Sequence, residues 1–250
     1  MSARSKTKSQ PPAVRNGTDE NPGAAARVLS QIIERGSRVQ SPAVKAYVER
    51  LREGAPNATP AEIVTRLEKQ YLAAVMASGA AVGSAAAVPG IGTLAALSAV
   101  AGETVVFLEA TALFVLAEAE VYGIPAEHRE RRRALVLGVL VGEESKNAVA
   151  DLIGPGRARG AWLSDGAATL PLPAVSQLNS RLLRYFVKRY TLKRGAIMFG
   201  KLLPVGIGAI VGGVGNRLMG KRIINHAREA FGPPPPRWPS KLHVLPSPQD

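Results

Sequence analysis

Apolar positions run almost unbroken from Tyr71 to Ala117, and no charged residue occurs between Gln70 and Gly102. Glu103 and Glu109 are the two charges that interrupt the continuation through Leu113, Phe114, Val115 and Leu116. In the middle stands Val88-Pro89-Gly90-Ile91-Gly92. Proline removes a backbone donor and clashes with the preceding turn, and the glycines favour a bend. The pattern predicts two apolar helices, 71–88 and 93–120, folded into a hairpin.

Side-chain size changes that picture. The hairpin is built mostly of Ala, Gly, Ser and Val, with a GxxxG at Gly79 and Gly83 followed by Ser84 and three alanines. Small residues on one helical face let two backbones approach closely, a packing device of membrane helices that also serves tight pairs in soluble cores. An 18-residue helix is about 27 Å long, close to the roughly 30 Å of a bilayer's hydrocarbon core. Against insertion, alanine and glycine gain little from lipid, and the two glutamates would be costly there. Both a membrane-inserted hairpin and a buried core hairpin fit.

A second small-residue run, from Leu202 to Gly215, opens with Pro204-Val205-Gly206-Ile207-Gly208 and so echoes the first bend. Gly208 and Gly212 make another GxxxG. The expected fold is all-α, six to eight helices built around two such Gly/Ala-rich apolar hairpins. Gly79, Gly83, Gly90, Gly92, Gly208 and Gly212 are the predicted close-packing positions.

The flanking segments follow from their own patterns. Residues 1–23 are polar and basic with almost no apolar content, which predicts a disordered tail. Val28, Leu29, Ile32 and Ile33 fit one helical face, and Ser41-Pro42 starts a second short helix carrying Val44, Tyr47, Val48 and Leu51. Thr59-Pro60-Ala61-Glu62 has the form of a capping box with proline in the first turn, leading into the hairpin. Tyr122-Gly123-Ile124-Pro125 reads as a helix stop. The segment 126–142 then reads as a helix that begins charged and ends apolar. Its cluster Arg129, Arg131, Arg132 and Arg133 is a solvated face or a contact for anionic headgroups. Residues 154–173 read as a loop. The helical domain is expected over 24–232, and the proline-rich tail 233–250 is expected to be disordered.

Charge narrows the partners. The chain carries a net +13, and from Gly166 to Arg228 there are eleven lysines and arginines and no acid. Within 178–194, Leu182, Leu183, Phe186, Val187 and Tyr190 form an apolar stripe, with Arg181, Arg184 and Lys188 on another face. A basic amphipathic helix of this kind lies at an anionic membrane surface or packs its stripe on a core. The predicted anion-contacting residues are Arg181, Arg184, Lys188, Lys193, Arg194, Arg217, Lys221 and Arg222. Anionic lipid is the expected partner, with a protein partner or self-association also compatible. A soluble basic protein that binds nucleic acid is the alternative, and its phosphate contacts would make binding steeply salt-dependent. The cationic flanks of both apolar runs favour the cytoplasmic face and hairpins dipping in from one side. No apolar stretch stands behind the basic N-terminus to read as a signal peptide, so the expected location is the cytoplasmic face of the cell membrane, or else the cytoplasm.

The chain lacks cysteine, which excludes disulfides and thiolate chemistry, and its three histidines, His128, His226 and His243, lie far apart. Gly215 to Lys221 has the spacing of a phosphate-binding loop, but Arg222 stands where Ser or Thr would ligate magnesium. Gly90-Ile91-Gly92-Thr93-Leu94-Ala95 has dinucleotide-fingerprint spacing without a preceding strand. Ser164-Asp165-Gly166 lacks the first glycine of a nucleophile elbow. Glu103 and Glu109, six apart, sit on largely opposed helical faces, and one of them is expected to face an interior arginine. No catalytic residue, cofactor or metal ligand emerges. A hydrolase acting on lipid or envelope material is the weakest of the three functional readings.

Over about 71–231 the chain resembles the EcsC family of bacterial proteins. The resemblance lies in the small-residue run Gly79 to Gly92, then Ala117-Glu-Ala-Glu-Val-Tyr122-Gly123-Ile124 and the charged-to-apolar helix 127–142. It continues in Leu203-Pro204 through the glycines to Asn216, and in Ala227-Arg-Glu-Ala-Phe231. That family takes its name from a protein encoded beside an ABC transporter. The resemblance implies a helical, membrane-associated protein acting with transport or envelope machinery, and it brings no catalytic residues.

Overall fold

A computed structural model describes residues 42–86, 93–124, 126, 128–153, 162–163, 170–198 and 207–239. Among these there is no strand. Helix α1 covers 42–53. It is followed by α2 (Pro60–Ala86), α3 (Thr93–Val121), α4 (Arg129–Val141), α5 (Glu143–Ile153), α6 (Leu172–Met198) and α7 (Ile207–Phe231). The predicted tail 1–23, the helix carrying Val28 to Ile33 and the bend with Gly90 and Gly92 lie outside the described residues.

Helix α2 starts where the capping box places it. The Thr59 N–H donates to Glu62 Oε2 at 2.8 Å, and the Glu62 N–H donates back to Thr59 Oγ1 at 3.3 Å. These reciprocal bonds satisfy two of the donors that every helix start leaves unpaired. They also hold the Glu62 carboxyl below its ordinary pKa. The capped helix and the first arm of the hairpin are one continuous helix. At the far end of α3 the predicted stop closes as a Schellman turn. Ile124 N–H reaches Ala119 O at 2.9 Å and Gly123 N–H reaches Glu120 O at 3.1 Å, with Gly123 at φ +68°.

Helices α2 and α3 pair as the predicted hairpin. Tyr71 stacks on Phe114 with ring centroids 4.6 Å apart. Its hydroxyl lies 2.9 Å from Thr111 Oγ1. The Thr111 proton goes to Phe107 O at 2.8 Å, so Tyr71 is the donor.

Of the second small-residue run, residues 207–215 open α7, and the bend 204–206 lies outside the described residues. Helix α7 packs along α2, while α6 packs on α4 and α5. A Cβ at Gly220 would lie 3.0 Å from both Leu72 Cδ1 and Val75 Cγ2, and one at Gly213 would lie 3.8 Å from Ala80 Cβ. Between them the buried Asn216 donates to Val75 O at 2.8 Å. Small and polar residues on α7 therefore fit it to α2, and the glycine run continues into the cationic segment as a single helix. The phosphate-loop spacing 215–221 lies within that helix.

Helix α4 occupies the middle, buried at every position from Ala134 to Val141 and touching α3, α5, α6 and α7. Its arginines do more than face solvent. Arg132 is buried and donates to Ala126 O at 2.9 Å, and Arg131 donates to Leu170 O at 3.1 Å, so the two clasp chain segments on either side. Gly142, at φ +79°, turns the chain directly into α5, a helix the sequence reading omits. Helix α6 begins at Leu172, within the last two residues of the predicted loop 154–173, and Leu170, Trp162 and Leu163 of that loop are buried.

The tail also differs from expectation at its start. Residues 233–239 are held against the domain. Trp238 Nε1 donates to Ala58 O at 3.0 Å, the Arg52 guanidinium lies 4.2 Å over the Trp238 ring, and Tyr122 donates to Gly232 O at 2.7 Å. Proline fixes φ, so ordering this segment costs less entropy than ordering an ordinary one.

Candidate functional site

The core of the α2–α3–α7 unit is polar at one end and apolar at the other. At the polar end, Arg228 on α7 grips Glu68 on α2 through two bonds, Nε to Oε1 and Nη2 to Oε2, each 2.6 Å. Glu68 is buried, whereas the Arg228 side chain remains 62% exposed. Glu118 on α3 lies behind this pair, 2% exposed, and its Oε2 has no hydrogen-bond partner. Burial pushes the Glu118 carboxyl well above the ordinary range, the Glu68 charge adds to that, and Arg228 opposes it. Tyr122, tilted on Phe231 at 5.1 Å, has its hydroxyl pKa raised by burial and by both carboxyls. Low dielectric thus favours the protonated form of Glu118 beside the charged Glu68–Arg228 pair.

Sequence reasoning placed an interior carboxylate facing an arginine at Glu103 or Glu109. The structure puts Glu109 on the surface and Glu103 half-buried, and gives the role to Glu68 and Glu118. The missed signal was spacing: Glu118 follows Phe114 and Val115 on the buried face of α3.

The folded chain holds the Glu118 proton to higher pH than the unfolded chain. Stability therefore falls as pH rises from the ordinary glutamate value of 4.5 through the raised one. Glu118→Gln should raise the melting temperature at pH 8 and leave it nearly unchanged at pH 4. An equal shift at both pH values would show that the carboxyl is not the cause.

Towards the other end the three helices lose their charges together. Beyond Val75 and Asn216 the backbone of α2 continues to Ala86, that of α7 extends back to Ile207, and that of α3 extends back to Thr93. Over 76–86, 93–106 and 207–215 the single charged residue is Glu103. Exposed apolar side chains mark the approach to this end: Val106 and Leu113 on α3, and Val214, Leu218 and Met219 on α7. Among the described residues no helix is long and apolar enough to cross a membrane.

The predicted glycine and base positions distribute as follows. Gly79 is buried on α2, whereas Gly83, Gly208 and Gly212 lie on α2 and α7 with their surroundings outside the described residues. Gly213 and Gly220 are the α7 glycines seen against α2. Arg217, Lys221 and Arg222 are exposed on α7, and Arg184 is exposed on α6. Arg181 faces Asp151 of α5 at 3.6 Å, and the side chains of Lys188, Lys193 and Arg194 lie outside the described residues. Arg222 lines an open cleft of about 240 Å³ with Glu143, Glu144, Asn225, His226 and Glu229. His226 Nδ1 there lies 3.1 Å from Val139 O, and its ring covers Gly142. Another open cleft, of about 420 Å³, lies between α1 and Trp238. Among the described residues no group of three or more His, Asp or Glu is arranged to hold a metal ion.

Fold and geometry thus define an all-helical protein with an ion-paired end and an opposite end at which Glu103 is the single charge. No protein-family model, no curated protein and no solved structure matches the chain.

Proposed function

We propose that this is a non-enzymatic, membrane-associated protein that sets the uncharged end of α2, α3 and α7 into one leaflet of a bilayer from the cytoplasmic side. What supports this reading is one observation: α2, α3 and α7 share an end at which Glu103 is the single charge. From Val75 to Ala86 helix α2 advances about 16 Å, and from Asn216 back to Ile207 helix α7 advances about 14 Å. Half of a roughly 30 Å hydrocarbon core is about 15 Å. The depth fits a single leaflet and needs no spanning helix. The one charge this placement has to accommodate is Glu103, about 6 Å beyond the level of Val75.

In this role the polar end stays in water and presents a protein surface, consistent with support of a transporter or an envelope process as the EcsC resemblance implies. The test is fractionation of cells expressing the full chain, with a high-salt wash followed by alkaline carbonate. The expected result is membrane association that survives salt. Recovery in the soluble fraction before any wash would overturn the proposal and turn attention to nucleic acid.

A further inference from the structure

Below the uncharged ends, the exposed bases are unevenly placed. Asn216 and Gly220 of α7 face α2, and the residues that follow each of them, Arg217 and Lys221, are exposed beside that seam. On α2, Glu68 faces α7 through Arg228, and the residue that follows it, Lys69, is exposed in the same way. Because α2 and α7 run antiparallel, with Asn216 level with Val75 and Gly220 level with Leu72, these three cations occupy about two turns just beneath the uncharged segment. Val214 and Leu218, 51% and 65% exposed, stand immediately above and between them. The α3 side differs: its exposed charge at this height is Glu109.

We infer that Lys69, Arg217 and Lys221 form a half-collar that binds the phosphates of anionic lipid headgroups, so that the α2–α7 face, and not the α3 face, lies against the charged layer. The inference rests on the membrane reading above and adds which bases make the contact, Lys69 among them, and the orientation. The occupant follows from charge and depth. Lysine and arginine stems cover apolar surface while their heads reach an aqueous boundary, and here that boundary falls about one leaflet's depth from the helix ends. A folded acidic partner could match the charge but would leave the uncharged segment above the collar in water. The collar also sorts the bases nominated from sequence. Arg181 is engaged with Asp151, and Arg222 points into a cleft lined with glutamates, so neither belongs to it. Lys69 does belong, although nothing in the local sequence marks it.

The experiment is vesicle flotation of the full chain with phosphatidylcholine alone and with phosphatidylcholine containing phosphatidylglycerol. The triple variant Lys69→Gln/Arg217→Gln/Lys221→Gln is compared with a control of equal charge loss, Arg50→Gln/Lys146→Gln/Arg237→Gln, at exposed sites away from the collar. Each base near an anionic surface contributes about fivefold to partitioning. The collar variant should therefore lose about 100-fold in binding to anionic vesicles, while its binding to neutral vesicles is unchanged and the control keeps most of its affinity. Equal losses in the two variants, or an unaffected collar variant beside a native chain that binds, would overturn the half-collar and leave the membrane reading standing. A native chain that floats with neither vesicle would overturn the membrane reading itself.

Discussion

Arg228→Leu should destabilise the fold by about 3 kcal/mol, near the lower end of the cost of breaking a buried ion pair from one side. At the size of this chain that corresponds to a fall of about 6–12 °C in melting temperature. The exposure of Arg228 to solvent places the value low in the range, because water competes for the guanidinium. The cost arises on the other partner. Glu68 is buried, and without Arg228 its two oxygens lose both 2.6 Å bonds while Glu118 remains behind them. Glu68→Gln in the same chain should recover part of the loss, since a neutral amide is cheaper to bury than an unpaired carboxylate. Arg228→Lys should fall between the two, keeping the charge and losing the fork. Thermal melts of the four chains check this. A double variant as unstable as Arg228→Leu alone would mean that the arginine acts through packing.

Trp162→Ala should cost about 3–5 kcal/mol, the penalty for emptying a large aromatic site in a core. Trp162 is 3% exposed although it belongs to a stretch whose composition predicts a loop. Its ring rests on Gly138 of α4, where a Cβ would come within 2.6 Å of Trp162 Cη2. Glycine at 138 is therefore required by the tryptophan, and the two sites should be coupled. Gly138→Val alone should destabilise by overpacking, and the same change in the Trp162→Ala chain should destabilise less or even restore some stability. Urea denaturation of the four chains gives the coupling directly. Strict additivity would contradict the contact.

Much of the architecture is legible in the chain because the signals are local. The capping box at Thr59 and Glu62, the stop at Gly123 and the charge-free run of α2 and α3 each mark an element without help from tertiary contacts. Helix α5, which the sequence reading omits, carries equally local signals: two glutamates follow Gly142 at a helix start, and Ser145, Ala148, Val149 and Leu152 keep helical spacing. What local pattern could not provide was pairing between distant elements. Nothing near Trp162 in sequence tells of Gly138, and nothing near Trp238 tells of Ala58 or Arg52, so a Pro- and Gly-rich composition predicts loop or tail where Trp162 and Trp238 are in fact anchored. The same limit applies to the candidate site. Bases could be counted along α6 and α7, but only the fold separates Arg181, which faces Asp151, from Arg217 and Lys221, which flank the α2 seam. The apolar run points to its interrupting glutamates for the interior carboxyl, whereas burial is decided by which face of α3 meets α2 and α7.

The absence of cysteine permits the most direct test of the proposed insertion. A single cysteine placed at Val214, beside the uncharged segment, is labelled with an environment-sensitive fluorophore, and a second chain carries the label at Asp151, on the α5–α6 side. On addition of anionic vesicles the Val214 label should shift to shorter wavelength and be quenched by lipids brominated on their acyl chains, while the Asp151 label stays in water. A Val214 label that remains solvated in the presence of vesicles would contradict insertion of this end.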